Sequence, residues 1–249
     1  MGNPQHYSIE LPQRCLRLIN ELWEAASQTY TAHTSHLGPL TSTFLISMSM
    51  PIINIPTERI ERYLSLRDAE GYVDDRYINP DATEAFRDVL QRQRFREAPF
   101  FVPGRWRFYE YRGESINLSN GMPEMIAAEL EKHEAADRAA EMHASQWLSV
   151  IRNALAHGGV IYLDERGRSS TDTPVRMFGF VNGKFKSGPC PHKQDQDCRA
   201  ERVLTGLNIL RVSEEDYREF LHLWVDWMQN SGLAQATNTG LDDVIVATP

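Results

Sequence analysis

The sequence predicts a mainly α-helical fold with a small antiparallel β region over about residues 160–212. Three observations predict it. Apolar residues recur at helical spacing in several N-terminal segments. A stretch opened by Pro123 and closed by Gly158 keeps that spacing for about 35 residues. Directly after it the pattern changes to short apolar runs separated by turn residues.

Leu11 to about Tyr30 reads as a first helix, with Pro12 near its start and Leu16, Ile19, Leu22, Trp23 and Ala26 at helical spacing. Gly38-Pro39 interrupts the chain. Thr41 to Ile53 follows as an apolar helix that Pro51 should kink or end. Thr57 is placed to cap a short helix from Glu58 to Leu66, with Ile60, Tyr63 and Leu64 inward. Asn79-Pro80-Asp81 opens another helix reaching about Arg96. The strongest prediction is one helix from Pro123 to His157, stopped by Gly158 in a left-handed conformation. Strands are expected at Val160–Leu163, Val175–Val181 and Leu207–Val212, with Asn182-Gly183 turning a hairpin into Lys184-Phe185-Lys186. Ser213 and Asp216 resemble a capping box before a last helix, which turns Tyr217, Phe220, Leu221, Trp224 and Met228 inward. No repeat and no Ser/Gly linker divides the chain, so residues 1–230 read as one domain and 231–249 as a flexible tail.

The chemistry-bearing string lies at the end of the long predicted helix: Arg152-Asn153-Ala154-Leu155-Ala156-His157, then Gly158-Gly159. Arginine is a permanent cation whose planar fork matches phosphate oxygens. Histidine changes protonation near neutral pH and so takes or gives the proton of a hydroxyl. Chance alone supplies about 0.7 pairs of this spacing in such a chain, and Arg138 with His143 is another. Requiring Asn after the Arg and Gly after the His lowers the expectation to about 0.002. At 100° per residue, Trp147, Leu148, Ile151 and Leu155 share one narrow arc, while Arg152, Asn153 and His157 spread over about 140° on the opposite side. The core face and the chemical face are therefore separate. Arg138 and His143, mid-helix among alanines and charges, read as a solvated face.

Composition sets the class. With 249 residues, 41% hydrophobic and 24% charged, the chain has ordinary globular proportions. The net charge of −8 argues against nonspecific coating of nucleic acid but leaves room for a local cationic site. Arginine outnumbers lysine 22 to 4, which suggests phosphate recognition or an arginine-rich genomic composition. From Arg87 to Arg112 there are 7 Arg and 3 acids. Within it, Arg105, Arg107 and Arg112 interleave with aromatics, as in proteins that stack and neutralise single-stranded RNA. The same alternation fits a strand or loop whose aromatics pack inward. Cys190, His192 and Cys198 offer three zinc-type ligands without a fourth and match no familiar finger, so no metal is expected. The longest apolar run, Phe44 to Ile55, is too short to span a bilayer, and no signal peptide is visible. Three unevenly placed cysteines fit a reducing, cytoplasmic setting.

A helix ending in Arg-Asn-x-x-x-His resembles the HEPN superfamily, whose signature is Arg, four to six residues, then His. The segment from Thr43 to Arg59 is similar to a bacterial, plasmid-borne HEPN subfamily. The likeness covers about residues 11–160 and extends toward 230; the region 160–212 departs from a minimal HEPN bundle and reads as an embellishment. The resemblance implies a bundle of four to five helices that dimerises with the two motifs meeting at the dimer cleft. It further implies a metal-independent endoribonuclease without cofactor, acting as a toxin or defence effector with a possible antitoxin partner. Arg152, Asn153 and His157 would form the catalytic set, and Arg105, Arg107 and Arg112 would contact RNA. Other members are non-catalytic modules binding RNA, a nucleotide or a partner protein, and that alternative stands beside the enzyme.

Overall fold

The apolar stripe of the first helix, α1 (Tyr7–Gln28), buries Ile9, Cys15, Leu16 and Ile19. Leu22, expected inward, is 46% exposed, because the stripe outlasts the cover that the described residues provide. The computed structural model describes residues 7–28, 39–65, 79–113, 116–169, 171, 173–187 and 202–233. The expected tail beyond 233 and the cysteine pair at 190 and 198 lie outside these. Mostly helical, the chain also carries a four-stranded antiparallel sheet. Its contacts fall into two compact units, one drawn from Met1–Gln93, Glu97–Phe101 and Arg218–Pro249, the other from Arg94–Arg96 and Val102–Tyr217.

In the first unit, α2 (Thr41–Ser49) does not stop at Pro51. The chain widens into a single π turn, Met50–Asn54, and continues as α3 (Ile55–Ser65). Proline lacks the N–H that an α-turn would require, and the Ile55 N–H reaches back five residues to the Met50 carbonyl. The buried indole Nε1 of Trp224 donates to the Ile52 carbonyl at 3.1 Å. Thr57 is therefore not a cap: it sits inside α3, its hydroxyl donating to the Ile53 carbonyl at 2.6 Å. Helix α4 (Pro80–Arg92) ends four residues short of the expected Arg96. Asn79 opens it, its side-chain oxygen accepting the Ala82 N–H at 3.4 Å. Phe86 of α4 stacks on Trp227 at 4.7 Å, and Phe100 meets Trp224 edge-on at 5.0 Å. Both tryptophans belong to α8 (Glu214–Asn230), where Phe220, Leu221, Trp224 and Met228 are buried as their spacing predicts.

The second unit is built on its sheet. Strands β1 (Arg107–Tyr111), β2 (Val160–Leu163), β3 (Met177–Ser187) and β4 (Arg202–Ser213) lie in the order β1-β4-β3-β2, all antiparallel. The β region is thus not an embellishment placed after the motif helix. It recruits a strand from before that helix and forms the centre of the unit. Alternation sends successive side chains to opposite faces. Ile209 and Leu163 turn toward Ile126 and Leu130, with Val181 packed against that cluster. Phe178 and Phe180 turn the other way, toward Tyr217 and Trp106. The expected turn at Asn182-Gly183 is absent. Both residues pair within β3, opposite Asn208 and Leu207, and the strand runs on to Ser187 with a register shift at Lys184/Phe185. A long partner strand holds them extended; Phe185 and Leu204 fill the space beside Gly183.

The single helix expected from Pro123 to His157 is three: α5 (Glu124–Glu131), α6 (Glu134–Glu141) and α7 (Ala144–His157). Lys132 and Met142 break it with ψ of 147° and 148°. No proline or glycine marks either break, and the cause is tertiary. Arg107 donates to the carbonyls of Leu130, Glu131 and Lys132 at 3.4, 3.3 and 3.0 Å, and Arg211 to Leu130 at 3.1 Å. Arg138, expected on a solvated face, instead donates to the carbonyls of Glu129 and Phe108. At the second break the Phe95 N–H takes the Met142 carbonyl at 2.7 Å, and Arg94 takes Glu141 at 2.6 Å. Donors from elsewhere satisfy the carbonyls that a helix end leaves open, at the negative end of its dipole. Arg211 is only 5% exposed, and burial, reinforced by neighbouring Arg107, pulls its pKa down.

Arg107→Ala is expected to cost about 1 kcal/mol, because it removes the donor from carbonyls at the end of α5 that water can partly reach, while Leu130 keeps its bond from Arg211. Arg107→Lys should restore much of that, because a single guanidinium nitrogen makes all three contacts and an ammonium carries three donors. Urea midpoints measure both, and an unchanged midpoint for the alanine variant would refute this account of the break.

Candidate functional site

Helix α7 is held from its core side. Trp147, Leu148, Val150, Ile151 and Ala154 are buried, with Trp147 stacked on Phe95 at 4.1 Å and edge-on to Trp106 at 4.8 Å. Arg152 and Asn153 are half-buried and His157 is exposed, as a face turned from the core requires. Leu155, expected in the core arc, is half-buried. The Asn153 amide donates to the Ser149 hydroxyl one turn back at 3.2 Å, which fixes its orientation along the helix. Arg152 and His157 lie on one helix about 7.5 Å apart along its axis.

Gly158 ends the helix with φ of 71°, its N–H returning to the Ala154 carbonyl. That left-handed residue is the glycine stop the sequence predicts. Gly159 has a separate reason to be glycine: a Cβ there would stand 2.3 Å from the Val181 carbonyl oxygen. Its own carbonyl accepts the Val181 N–H at 2.8 Å, so the chain passes from His157 directly onto the sheet.

Beside this junction is a cleft of about 480 Å³ in the second unit. Gly158, Val160 and Tyr162 form one wall, and Ser119, Ser169 and Thr171 contribute hydroxyls from the others. Sequence reasoning missed it by treating residues 160–212 as peripheral. The available signal was the second glycine of the doublet, which a helix stop does not need.

The other arginines are distributed elsewhere. Arg105 pairs with Asp216 at 3.2 Å, Arg107 closes α5, and the exposed Arg112 pairs with Glu110 at 2.8 Å. Arg107 and Arg112 lie in and just beyond β1, at the opposite edge of the sheet from β2. Three strand spacings separate those edges, about 14 Å. Arg152, Asn153 and His157 thus share α7, and none of these three arginines lies on that helix. His143, grouped with Arg138 in the sequence, is exposed at the start of α7. Among the described residues no three of His, Cys, Asp and Glu are grouped to hold a metal ion, and Cys190, His192 and Cys198 are outside that set. No described helix is long and apolar enough to cross a membrane.

Comparison with protein-family models, curated proteins and solved structures finds no match to this chain.

Proposed function

We propose that this protein is an endoribonuclease of HEPN type that works without a metal, as a homodimer. The observation that carries the reading is the exposed His157 at the end of α7, with Arg152 and Asn153 behind it on the side away from the core. A proton-transfer group in reach of solvent beside a permanent cation is what cleavage of RNA by its own ribose demands. His157 takes the proton of a 2′-hydroxyl, and the resulting oxygen attacks the adjacent phosphorus. The bond from phosphorus to the 5′-oxygen breaks, leaving a 2′,3′-cyclic phosphate and a 5′-hydroxyl. Arg152 neutralises the charge building on the phosphoryl oxygens, and Asn153 orients the histidine or the phosphate.

One histidine cannot both take the first proton and already hold the one that the leaving oxygen needs. A two-fold dimer supplies the second, with one His157 as base and the other as acid around a single phosphate. Exposure at the helix end leaves His157 available for that meeting. Full-length protein incubated with diverse RNAs in EDTA is expected to yield 2′,3′-cyclic phosphate ends, and light scattering to give a dimer at micromolar concentration. Absence of cleavage across those RNAs would remove the catalytic assignment. A monomer would remove the paired-histidine scheme. Binding without turnover would favour a non-catalytic module acting through the same face.

A further inference from the structure

We infer that the cleft beside Gly158 binds the neutral base-and-ribose part of a nucleotide next to the phosphate handled by Arg152 and His157, giving the protein a base preference. This rests on the ribonuclease reading and adds to it a pocket that discriminates substrate.

The position comes first. Gly158 lines the cleft and is the residue after His157, so one peptide step of about 3.8 Å separates the wall from the histidine backbone. An RNA chain held at His157 would have its neighbouring nucleotide within reach of this opening. The volume of about 480 Å³ is in the range of small organic ligand sites, about 300–1,000 Å³.

The chemistry of the wall selects the occupant. None of its described lining residues carries a charge, so a phosphate group finds no cation among them. Hydroxyls of Ser119, Ser169 and Thr171 offer hydrogen bonds of either sense, and the Ser169 and Thr171 oxygens lie 3.0 Å apart. Ile161, Tyr162 and Val181 supply apolar surface. The combination of apolar wall and convertible donors suits a heterocycle and its sugar.

The strand edge adds direction. The Gly159 carbonyl accepts from Val181 and the Leu163 carbonyl from Arg176, both at 2.8 Å, so the main chains of Gly159 and Leu163 face β3. Strand alternation then points the N–H and C=O of Val160 away from β3, at the sheet edge that lines the cleft. One residue thus presents a donor and an acceptor side by side. That pair matches the donor-acceptor edge of a base, which is how unpaired RNA bases are read.

The test uses full-length His157→Ala protein, titrated with adenosine, guanosine, cytidine and uridine while backbone amide signals are followed. It is run beside cleavage of the sixteen dinucleotides by the protein with His157 intact. At least one nucleoside should shift the signals of Gly158, Val160 and Thr171, and its dinucleotides should be cleaved about tenfold faster than the rest. Ser119→Trp and Thr171→Trp, which fill the cleft from two exposed walls, should abolish the shifts and bring the favoured dinucleotides down to the rate of the others. Nucleoside shifts that the tryptophans remove, in a protein that cleaves nothing, would support the pocket and sink the ribonuclease reading. Cleavage dependent on His157 with no nucleoside shift and equal rates on all dinucleotides would overturn the pocket and keep the ribonuclease.

Discussion

His157→Ala is expected to lower the rate of RNA cleavage by about three orders of magnitude, the scale on which a positioned acid or base contributes. In the dimer scheme one change removes both the base and the acid, so three orders is the lower end of the expected loss. Arg152→Ala should cost about 10²–10³, through charge stabilisation at the phosphoryl oxygens. Arg152→Lys should recover a minor part, because the fork and not charge alone matches two oxygens. The exposed position of His157 separates chemistry from folding. Its loss removes at most a helix-end interaction of about 1 kcal/mol, too little to unfold the chain. Single-turnover cleavage measures the rates, and thermal melting checks that each variant is folded. A folded His157→Ala protein that cleaved at the parent rate would dismiss the histidine from the mechanism.

Trp147→Ala is expected to be the most damaging single change to the fold around the motif, costing about 3–5 kcal/mol. The indole is fully buried between the Phe95 and Trp106 rings, in a cluster that continues through Phe180 and Tyr217. Its removal opens a cavity bounded by rigid aromatic faces, which close poorly. It also frees the core side of the helix that aims Arg152 and His157, so activity should fall together with the urea midpoint. Trp147→Phe, keeping most of the apolar volume, should lose less of both. A midpoint for the alanine variant within 1 kcal/mol of the parent would show that this cluster does not anchor α7 (about 1 kcal/mol is also the ordinary scale of a point substitution).

Local signals transferred well from sequence to structure, and signals that depend on distant partners did not. The glycine stop after His157, the inward face of α8, the Ser213–Asp216 cap and the short strand at Val160–Leu163 all rest on neighbours a few residues away. The breaks at Lys132 and Met142 rest on donors carried by β1, β4 and residues 94–95, which no periodicity records. Asn182-Gly183 shows the same limit from the other direction. Its turn propensity yields to twelve residues of β4 lying alongside. On α7, the placement of Arg152, Asn153 and His157 away from the core was readable from helical geometry. The cleft was not, because its walls come from residues near 119, 160 and 170 that only the folded sheet edge assembles. The excess of arginine over lysine acquires a third cause besides phosphate and genome: Arg107, Arg138 and Arg211 each spend their forks on main-chain carbonyls.

Those arginine-closed helix ends also constrain the order in which the chain can fold. α5 and α6 have eight residues each, well below the roughly 12–15 at which an isolated helix begins to hold in water. Their termini are completed by side chains that arrive from far along the polypeptide, as much as 81 residues away for Arg211 and Leu130. The strand carrying Arg211 is synthesised last, and Leu210 must find Phe108 across about a hundred intervening residues before the cap exists. A nascent chain can therefore display the whole Arg152–His157 string while the platform beneath it is still unformed. The sheet against which α7 packs is complete only when β4 has joined β1 to β3, so the support of the helix carrying Arg152 and His157 waits on a strand that follows them in the chain.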